Sequence, residues 1–485
     1  AINAGAATVM INSGELNGIP VHADKKILTD LLRSELGFKG VAVTDWEDIM
    51  KLNNIHMVAP TLKDAVYMAI DAGIDMCMVP NDYDFTILLT ELVKEGKISE
   101  ARLDVSVKRI LELKKQLGLF EQPFTPANTD YKKFGSAEFA RAAQNMAEES
   151  ITLLKNNNQV LPIQQSAKIL VTGPAANSMT YLNGAWTRTW QGTDTIWNDQ
   201  SKYTIREAFN PATTTFIASD NMSDTDVREK MFAAAKASDV IIICLGEKPS
   251  TEKVGDIDAL TMPDNQQQLV GLLKSTGKPV VLVLVENRPL IVNDIEPLCD
   301  AIVLVYEPGD YGGLALANII YGKVNPSGKL PFTYPRHEAS LLWYDHKHTE
   351  TLDQTFGRKA FNPQWEFGYG LSYTTFQYSN LKISNDTLST GNLQISVDVT
   401  NTGTTTGKEV VQLYIADRYA SITPSVKRLR GFEKVEIKPG TTHIVSFTIS
   451  AKDLAFVGRD EKWISEAGWF DIMLGSEKSS FYLSK

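Results

Sequence analysis

Asp45 and Trp46 close the apolar run Val41-Ala42-Val43-Thr44, and this pair is where the chain first offers chemistry. A carboxylate at the end of a buried strand can attack or stabilise an anomeric carbon. A large ring beside it can lie against the apolar face of a pyranose. A strand-end aspartate can equally cap the next helix or satisfy a loop. Cleaving a glycosidic bond with retention requires a second carboxyl group about 5–5.5 Å from the first. One attacks; the other protonates the leaving oxygen and then activates water. The stretch Gly246-Glu247-Lys248-Pro249-Ser250-Thr251-Glu252-Lys253-Val254-Gly255-Asp256 supplies candidates. It follows the apolar run 240–245, which places it past the carboxyl end of a strand, the ligand side of an open α/β sheet. Glu247, Glu252, Asp256 and Asp258 are its carboxylates. Glu252 is mid-loop and can reach outward, while Glu247 and Asp256 are placed to orient the loop. A charged loop is also what an ordinary solvated surface presents.

Those carboxylates need strands and helices to hold them. The first 120 residues alternate strand candidates (8–11, 41–44, 74–79) with helix candidates (26–36, 62–72, 85–95, 103–117). In the last helix Leu103, Val107, Ile110 and Leu111 form one apolar stripe. Such β/α units imply a parallel sheet. Three strands are too few to close an eight-stranded barrel, but they suit the end of one. Residues 121–133, with Pro123 and Pro126, read as a linker. A second α/β region follows, with strands at 168–171, 240–245, 280–285 and 302–305 and helices at 226–237 and 265–275. Its near-continuous Val/Ile/Leu runs predict strands covered on both faces. Residues 336–375 are loop-like and aromatic-rich. From about residue 376 the pattern alternates, with strands at 393–399, 410–415, 431–434, 443–449 and 469–474, which predicts an all-β sandwich. The domain reading is therefore 1–120, a linker to 135, 136–335, a connecting segment 336–375, and 376–485.

Length and composition fit this frame. The chain has 485 residues, 43% hydrophobic and 22% charged, which suits several globular domains. A formal net charge of −10 argues against nucleic acid and anionic membrane as partners. No apolar run approaches a membrane span. The three cysteines, Cys77, Cys244 and Cys299, lie in apolar stretches and read as unpaired thiols. Neither they nor the six histidines are grouped as a metal site requires, and no cofactor is expected. The chain opens on Ala1–Ile11, which reads as a helix end followed directly by a core strand. No signal peptide is visible, and further sequence upstream is expected.

The motifs together resemble glycoside hydrolase family 3, the β-glucosidase and exo-β-glucanase family. Gly37-Phe38-Lys39-Gly40-Val41-Ala42-Val43-Thr44-Asp45-Trp46 is similar to the segment that carries the family's nucleophilic aspartate. The 246–256 stretch resembles its acid/base loop. Gly184-Ala185-Trp186-Thr187-Arg188-Thr189-Trp190-Gln191-Gly192 resembles a segment of its exo-glucanase-like branch. Pro308-Gly309-Asp310-Tyr311-Gly312-Gly313, Asn325-Pro326-Ser327-Gly328-Lys329-Leu330-Pro331, Glu366–Phe376 and Lys427–Val435 are similar to its later turns and to its fibronectin-III-like domain. The likeness spans essentially the whole chain, in the family's order.

The resemblance implies the C-terminal portion of a TIM-type (β/α)8 barrel, then an open α/β sandwich, then a fibronectin-III-like β-sandwich. It implies a retaining, exo-acting β-glucosidase or β-D-glucan glucohydrolase with Asp45 as nucleophile and Glu252 as acid/base. Trp46 and Trp190 would face each other across the sugar, with Arg188 and Glu247 as further substrate-binding residues. Partners would be β-linked oligosaccharides or glucosides, and the location periplasmic or secreted. A β-xylosidase-type exo-glycosidase of the same fold is the alternative. The family's earlier barrel strands supply the aspartate, arginine and lysine-histidine residues that grip the terminal sugar, and none can be assigned here. That segment is expected in the same gene or as a companion chain; without it, the chain reads as an inactive carbohydrate-binding or scaffolding fragment. Glu286-Asn287-Arg288-Pro289 departs from the family's small residue plus Gly before Arg-Pro and is expected to be structural.

Overall fold

The computed structural model describes residues 1–81, 83–124, 129–219, 224–340, 343–350 and 361–484, which form two compact units, 1–132 and 133–485. Pro126 of the expected linker and parts of the 336–375 segment lie outside the described residues.

In the first unit, strands β1 (Thr8–Met10) and β2 (Val41–Val43) pair in parallel. Helices α1 (Asp48–Asn54), α2 (Leu62–Ala72), α3 (Asp84–Lys94) and α4 (Glu100–Gln116) follow. Thr61 caps α2 by accepting the Asp64 N–H, and Ala65, Val66, Ala69 and Ile70 then recur on one buried face. Gly73, with φ of 132°, ends the helix against Leu28. The segment 26–36, expected as an ordinary helix, is wound as a π-helix over Lys26–Glu35.

The expected third strand, 74–79, is not a strand. It contributes one parallel bridge, Val43 to Met76. Asp75 is the physical reason. Its carboxylate accepts the Ala42 N–H at 3.0 Å, a donor that a ladder carbonyl would otherwise take. The same buried carboxylate accepts Arg33 at 2.6 Å, Arg109 at 2.8 Å and the Ser106 hydroxyl at 2.6 Å. Arg102 joins by donating to Ser106 Oγ and to the carbonyls of Ile70 and Ile74. Burial pulls the Arg33 and Arg102 guanidinium groups below their usual range, and Asp75 acts against that shift in both.

The second unit holds a six-stranded sheet and a β-sandwich. After helix α5 (Ala137–Ser150) come β3 (Thr152–Asn156), β4 (Ile169–Thr172) and β5 (Thr214–Phe216). Helix α6 (Thr225–Ala237), β6 (Val240–Gly246), α7 (Asp264–Lys274), β7 (Val280–Val285), β8 (Ala301–Leu304) and α8 (Gly312–Ile320) complete the α/β region. The order across the sheet is β3-β8-β7-β6-β4-β5. All pairings are parallel except β3 with β8. Alternate residues divide between two cores. Val281, Val283 and Val285 face one; Val280, Leu282 and Leu284 face the other. Each such side chain contributes about 1.5–3 kcal/mol on burial, which explains the unbroken apolar runs. The chain passes from β4 to β5 on one side, then crosses to β6 on the other, so the carboxyl ends of β4 and β6 flank the topological switch point.

The sandwich pairs a three-stranded sheet, β9 (Phe376–Ile383), β10 (Asn392–Asn401) and β13 (Thr442–Ser450), with a larger one. The latter contains β11 (Gly407–Asp417), β12 (Arg428–Ile437), β14 (Gly468–Leu474) and β15 (Glu477–Leu483), with Thr387–Leu388 at its edge. Residues 364–371 join the α/β region to this sandwich. Their backbone bridges Tyr334 to Trp365 and Leu153 to Leu371, and the Tyr373 hydroxyl donates to the Ile319 carbonyl. Lys408 and Lys434 both reach Glu149 at the end of α5. All three cysteines are free thiols; Cys244 and Cys299 are buried and Cys77 is partly so. No helix among the described residues is long and apolar enough to cross a membrane.

Asp75→Ala should cost the first unit about 3–5 kcal/mol, because it leaves Arg33 buried without its carboxylate. Hydrogen-exchange mass spectrometry should then show loss of amide protection over residues 41–43 with little change in the β6–β7 sheet.

Candidate functional site

Asp45 stands just past the carboxyl end of β2. The backbone is guided there by Thr44, whose N–H donates to the Met76 carbonyl and whose hydroxyl oxygen accepts the Met78 N–H at 2.8 Å. One Asp45 oxygen, Oδ1, accepts the Trp46 N–H at 2.7 Å. Trp46 is 55% exposed, so its ring is presented rather than packed. The next residue, Glu47, is left-handed with φ of 58°, and it accepts a hydrogen bond from Asn81. That turn aims Asp48 inward. The buried Asp48 carboxylate accepts from Ser13 at 2.8 Å and Lys51 at 2.6 Å, and His22 Nε2 lies 3.3 Å away. Burial lowers the pKa of His22 below the usual imidazole range. Sequence reading missed Asp48 and His22. The acidic cluster Asp45-Trp46-Glu47-Asp48 was the available signal, but its inward member is decided by the left-handed turn.

In the second unit, Glu252 opens a single 3-10 turn, Glu252–Gly255, beyond the end of β6. It is exposed, and its backbone is left-handed, with φ of 56°. A non-glycine residue in that region carries strain of order 1–3 kcal/mol and persists only where neighbours hold it. Two sets of contacts do so. Upstream, Gln191 forms a two-point amide bridge to Thr251: its Nε2 donates to the Thr251 carbonyl at 3.1 Å, and its Oε1 accepts the Thr251 N–H at 3.0 Å. Downstream, Arg288 Nη1 donates to the Gly255 carbonyl at 2.7 Å. Arg288 Nε also donates to Glu247 Oε2 at 2.8 Å, and its Nη2 approaches Ser250 Oγ at 3.3 Å. Glu247 is thus an ion-paired anchor at the base of the loop. The Glu286-Asn287-Arg288-Pro289 segment, expected to be structural, holds the loop from the end of β7.

The tryptophan loop is closed on itself. Trp186 N–H donates to the Trp190 carbonyl at 3.0 Å, and the two rings lie 6.5 Å apart, tilted by 54°. Glycine is required where this loop meets its neighbours. Gly184 has φ of 72°, and a Cβ there would sit 2.2 Å from the Glu307 carboxyl carbon. Trp190 is 47% exposed. Arg188 pairs with Asp310 in the turn after β8. Asp45 and Trp46 therefore belong to the first unit, and Glu252, Glu247, Arg188 and Trp190 to the second. Within the second, Gln191 ties the tryptophan loop to the Glu252 loop. That link joins residues 60 apart in sequence, and nothing local announces it.

Two residues before Arg288, Glu286 is a buried carboxyl group whose Oε2 has no hydrogen-bond partner. The Tyr334 hydroxyl lies 2.7 Å from Glu286 Oε1 and 2.7 Å from the Leu290 carbonyl oxygen. Burial raises the pKa of Glu286 to about 8, with nearby Glu247 adding to the shift. The sign follows. Above the unfolded carboxylate value and below about 8, the folded state holds a proton that the unfolded state has released, so this group makes stability fall as pH rises through that window. Glu286→Gln should flatten the decline in unfolding free energy between about pH 5 and 8, measured by denaturant titration across pH; an unchanged slope would show that the group is ionised in the fold.

Residues 1–113 match the glycosyl hydrolase family 3 N-terminal domain, 151–373 the glycosyl hydrolase family 3 C-terminal domain, and 409–478 a fibronectin type III-like domain. The chain is 42% identical over 516 residues to the lysosomal beta glucosidase of Dictyostelium discoideum, covering 99% of this chain and 61% of that protein. It is 33% identical to the periplasmic beta-glucosidase of Salmonella typhimurium, covering 99% of this chain and 67% of that one. Among solved structures, a beta-glucosidase from Listeria innocua in complex with isofagomine superposes with a TM-score of 0.88 at 29% identity, covering all of this chain and 69% of that one. The chain thus spans about three fifths of the length of its Dictyostelium relative.

Proposed function

Because the chain belongs to glycosyl hydrolase family 3, we propose that it carries the nucleophile and the acid/base residue of a retaining, exo-acting β-glucosidase that releases glucose from nonreducing ends of β-glucosides. The observation that carries this reading is Asp45 at the carboxyl end of a parallel strand, beside the exposed ring of Trp46. The Trp46 N–H fixes Oδ1 of Asp45, leaving Oδ2 to attack the anomeric carbon. As that bond forms, the glycosidic C–O bond breaks and the departing oxygen takes a proton from Glu252. The Glu252 carboxylate then takes a proton from water. The water oxygen attacks the same carbon, and Asp45 leaves with its electron pair. Trp46 and Trp190 supply apolar faces for sugar rings. Stacking is less directional than hydrogen bonding, so the second sugar is accepted in several linkages. Glu247 and Arg188, both engaged in ion pairs, keep the loops in shape. The likeness to the periplasmic beta-glucosidase of Salmonella typhimurium supports a periplasmic location.

The test is mass spectrometry of the full-length protein after treatment with an activated 2-deoxy-2-fluoro glucoside. The expected result is a stable glycosyl adduct on the peptide containing Asp45; an adduct on another residue would remove Asp45 as nucleophile. A panel of aryl β-glycosides should show glucosides cleaved ahead of xylosides, and the reverse order would establish the xylosidase alternative.

A further inference from the structure

We propose that Gln191 is a positioning residue for proton transfer: it makes the tryptophan loop and the Glu252 loop one body, so the ring that meets the sugar and the acid that meets the leaving oxygen move together. This rests on the reading of Glu252 as acid/base.

A left-handed glutamate relaxes toward ordinary conformations unless the residues on both sides are held. On the Gly255 side the holder is Arg288, itself fixed by Glu247. On the Thr251 side the holder is Gln191, which takes both the N–H and the C=O of one peptide residue. An amide is the one uncharged side-chain group that can do this, because it presents a donor and an acceptor side by side. Gln191 directly follows Trp190, and Gly192 folds back on Gly184, where a Cβ at Gly192 would lie 2.2 Å from the Gly184 carbonyl oxygen. The tryptophan loop is therefore a small closed unit, and the amide bridge transfers its rigidity to the acid/base loop. Removing the bridge leaves Glu252 in place chemically but free to rotate away from the leaving oxygen. Displacements of about 1 Å in such groups can reduce rates by about a hundredfold.

The experiment compares wild type, Gln191→Ala, Gln191→Glu, Glu252→Ala and the double variant Gln191→Ala/Glu252→Ala of the full-length protein. The substrates are aryl β-glucosides whose leaving groups span a wide range of acidity. A misplaced acid matters only where the leaving group needs a proton. Gln191→Ala should lose about tenfold or more in kcat/KM on poor leaving groups and little on dinitrophenyl glucoside, a steepening in the same sense as Glu252→Ala but smaller. Gln191→Glu keeps an acceptor for the Thr251 N–H but sets an oxygen against the Thr251 carbonyl, so it should follow Gln191→Ala. In the double variant Gln191→Ala should add nothing to Glu252→Ala, because the group it positions is gone. A Gln191→Ala loss that is equal for every leaving group, or that adds fully to Glu252→Ala, would overturn the positioning role while leaving Glu252 as the acid. If Glu252→Ala itself shows no dependence on the leaving group, the acid/base reading fails, and this inference with it.

Discussion

Strands β6 and β7 are buried on both faces, and both must end on the side of the sheet where their chains turn outward. Their exits carry opposite charges. Glu247 leaves β6, Arg288 leaves the turn after β7, and the pair closes the gap at 2.8 Å. Nearly everything proposed for the second unit depends on that contact. Arg288 goes on to hold Ser250 and Gly255, so a charge pair at the sheet becomes the frame of an eleven-residue loop. Partial burial strengthens the pair relative to a surface one, and its hydrogen bonds to backbone groups satisfy what burial would otherwise leave open.

The first unit solves a related problem with one sign of charge in excess. Asp75 draws three arginines, a serine and a backbone amide around the end of β2. It takes over part of what a longer strand would have done, and leaves Asp45 on a short, well-anchored turn. Asp45 stands two residues beyond the end of β2 and Glu252 six beyond the end of β6, and in each unit a charged side chain from elsewhere fixes the exit.

The strands themselves were legible because burial on both faces leaves a plain mark, an unbroken run such as Val280–Val285. Spacing put Asp45 and Glu252 beyond such runs, and their expected roles came from the resemblance of their segments to those of glycoside hydrolase family 3. Other features were not legible. The stretch 74–79 looks like a strand in composition, but the carboxylate of Asp75 takes the Ala42 N–H that would extend the pairing beyond the single bridge at Met76. Strand β3 is short and follows α5 with no turn residues between them, so its five residues carry no period of their own. The bridge from Gln191 to Thr251 and the pairing of Arg288 with Glu247 span 60 and 41 residues. Polar contacts at that range depend on the folded topology, and a glutamine in a loop has no local pattern to betray its partner.

Strand β3 forms one border of the six-stranded sheet, with β8 on its inner side and the backbone of Leu371 on its outer side. The chain that runs onward to the β-sandwich is therefore also the cover over an otherwise open border. Shortening the protein ahead of residue 364 would bare the amides and carbonyls of a strand whose Leu153 and Leu154 are fully buried, and an uncovered apolar border of that kind recruits other chains. The connecting segment serves the α/β region as a selvedge, the woven margin that keeps a cloth from unravelling.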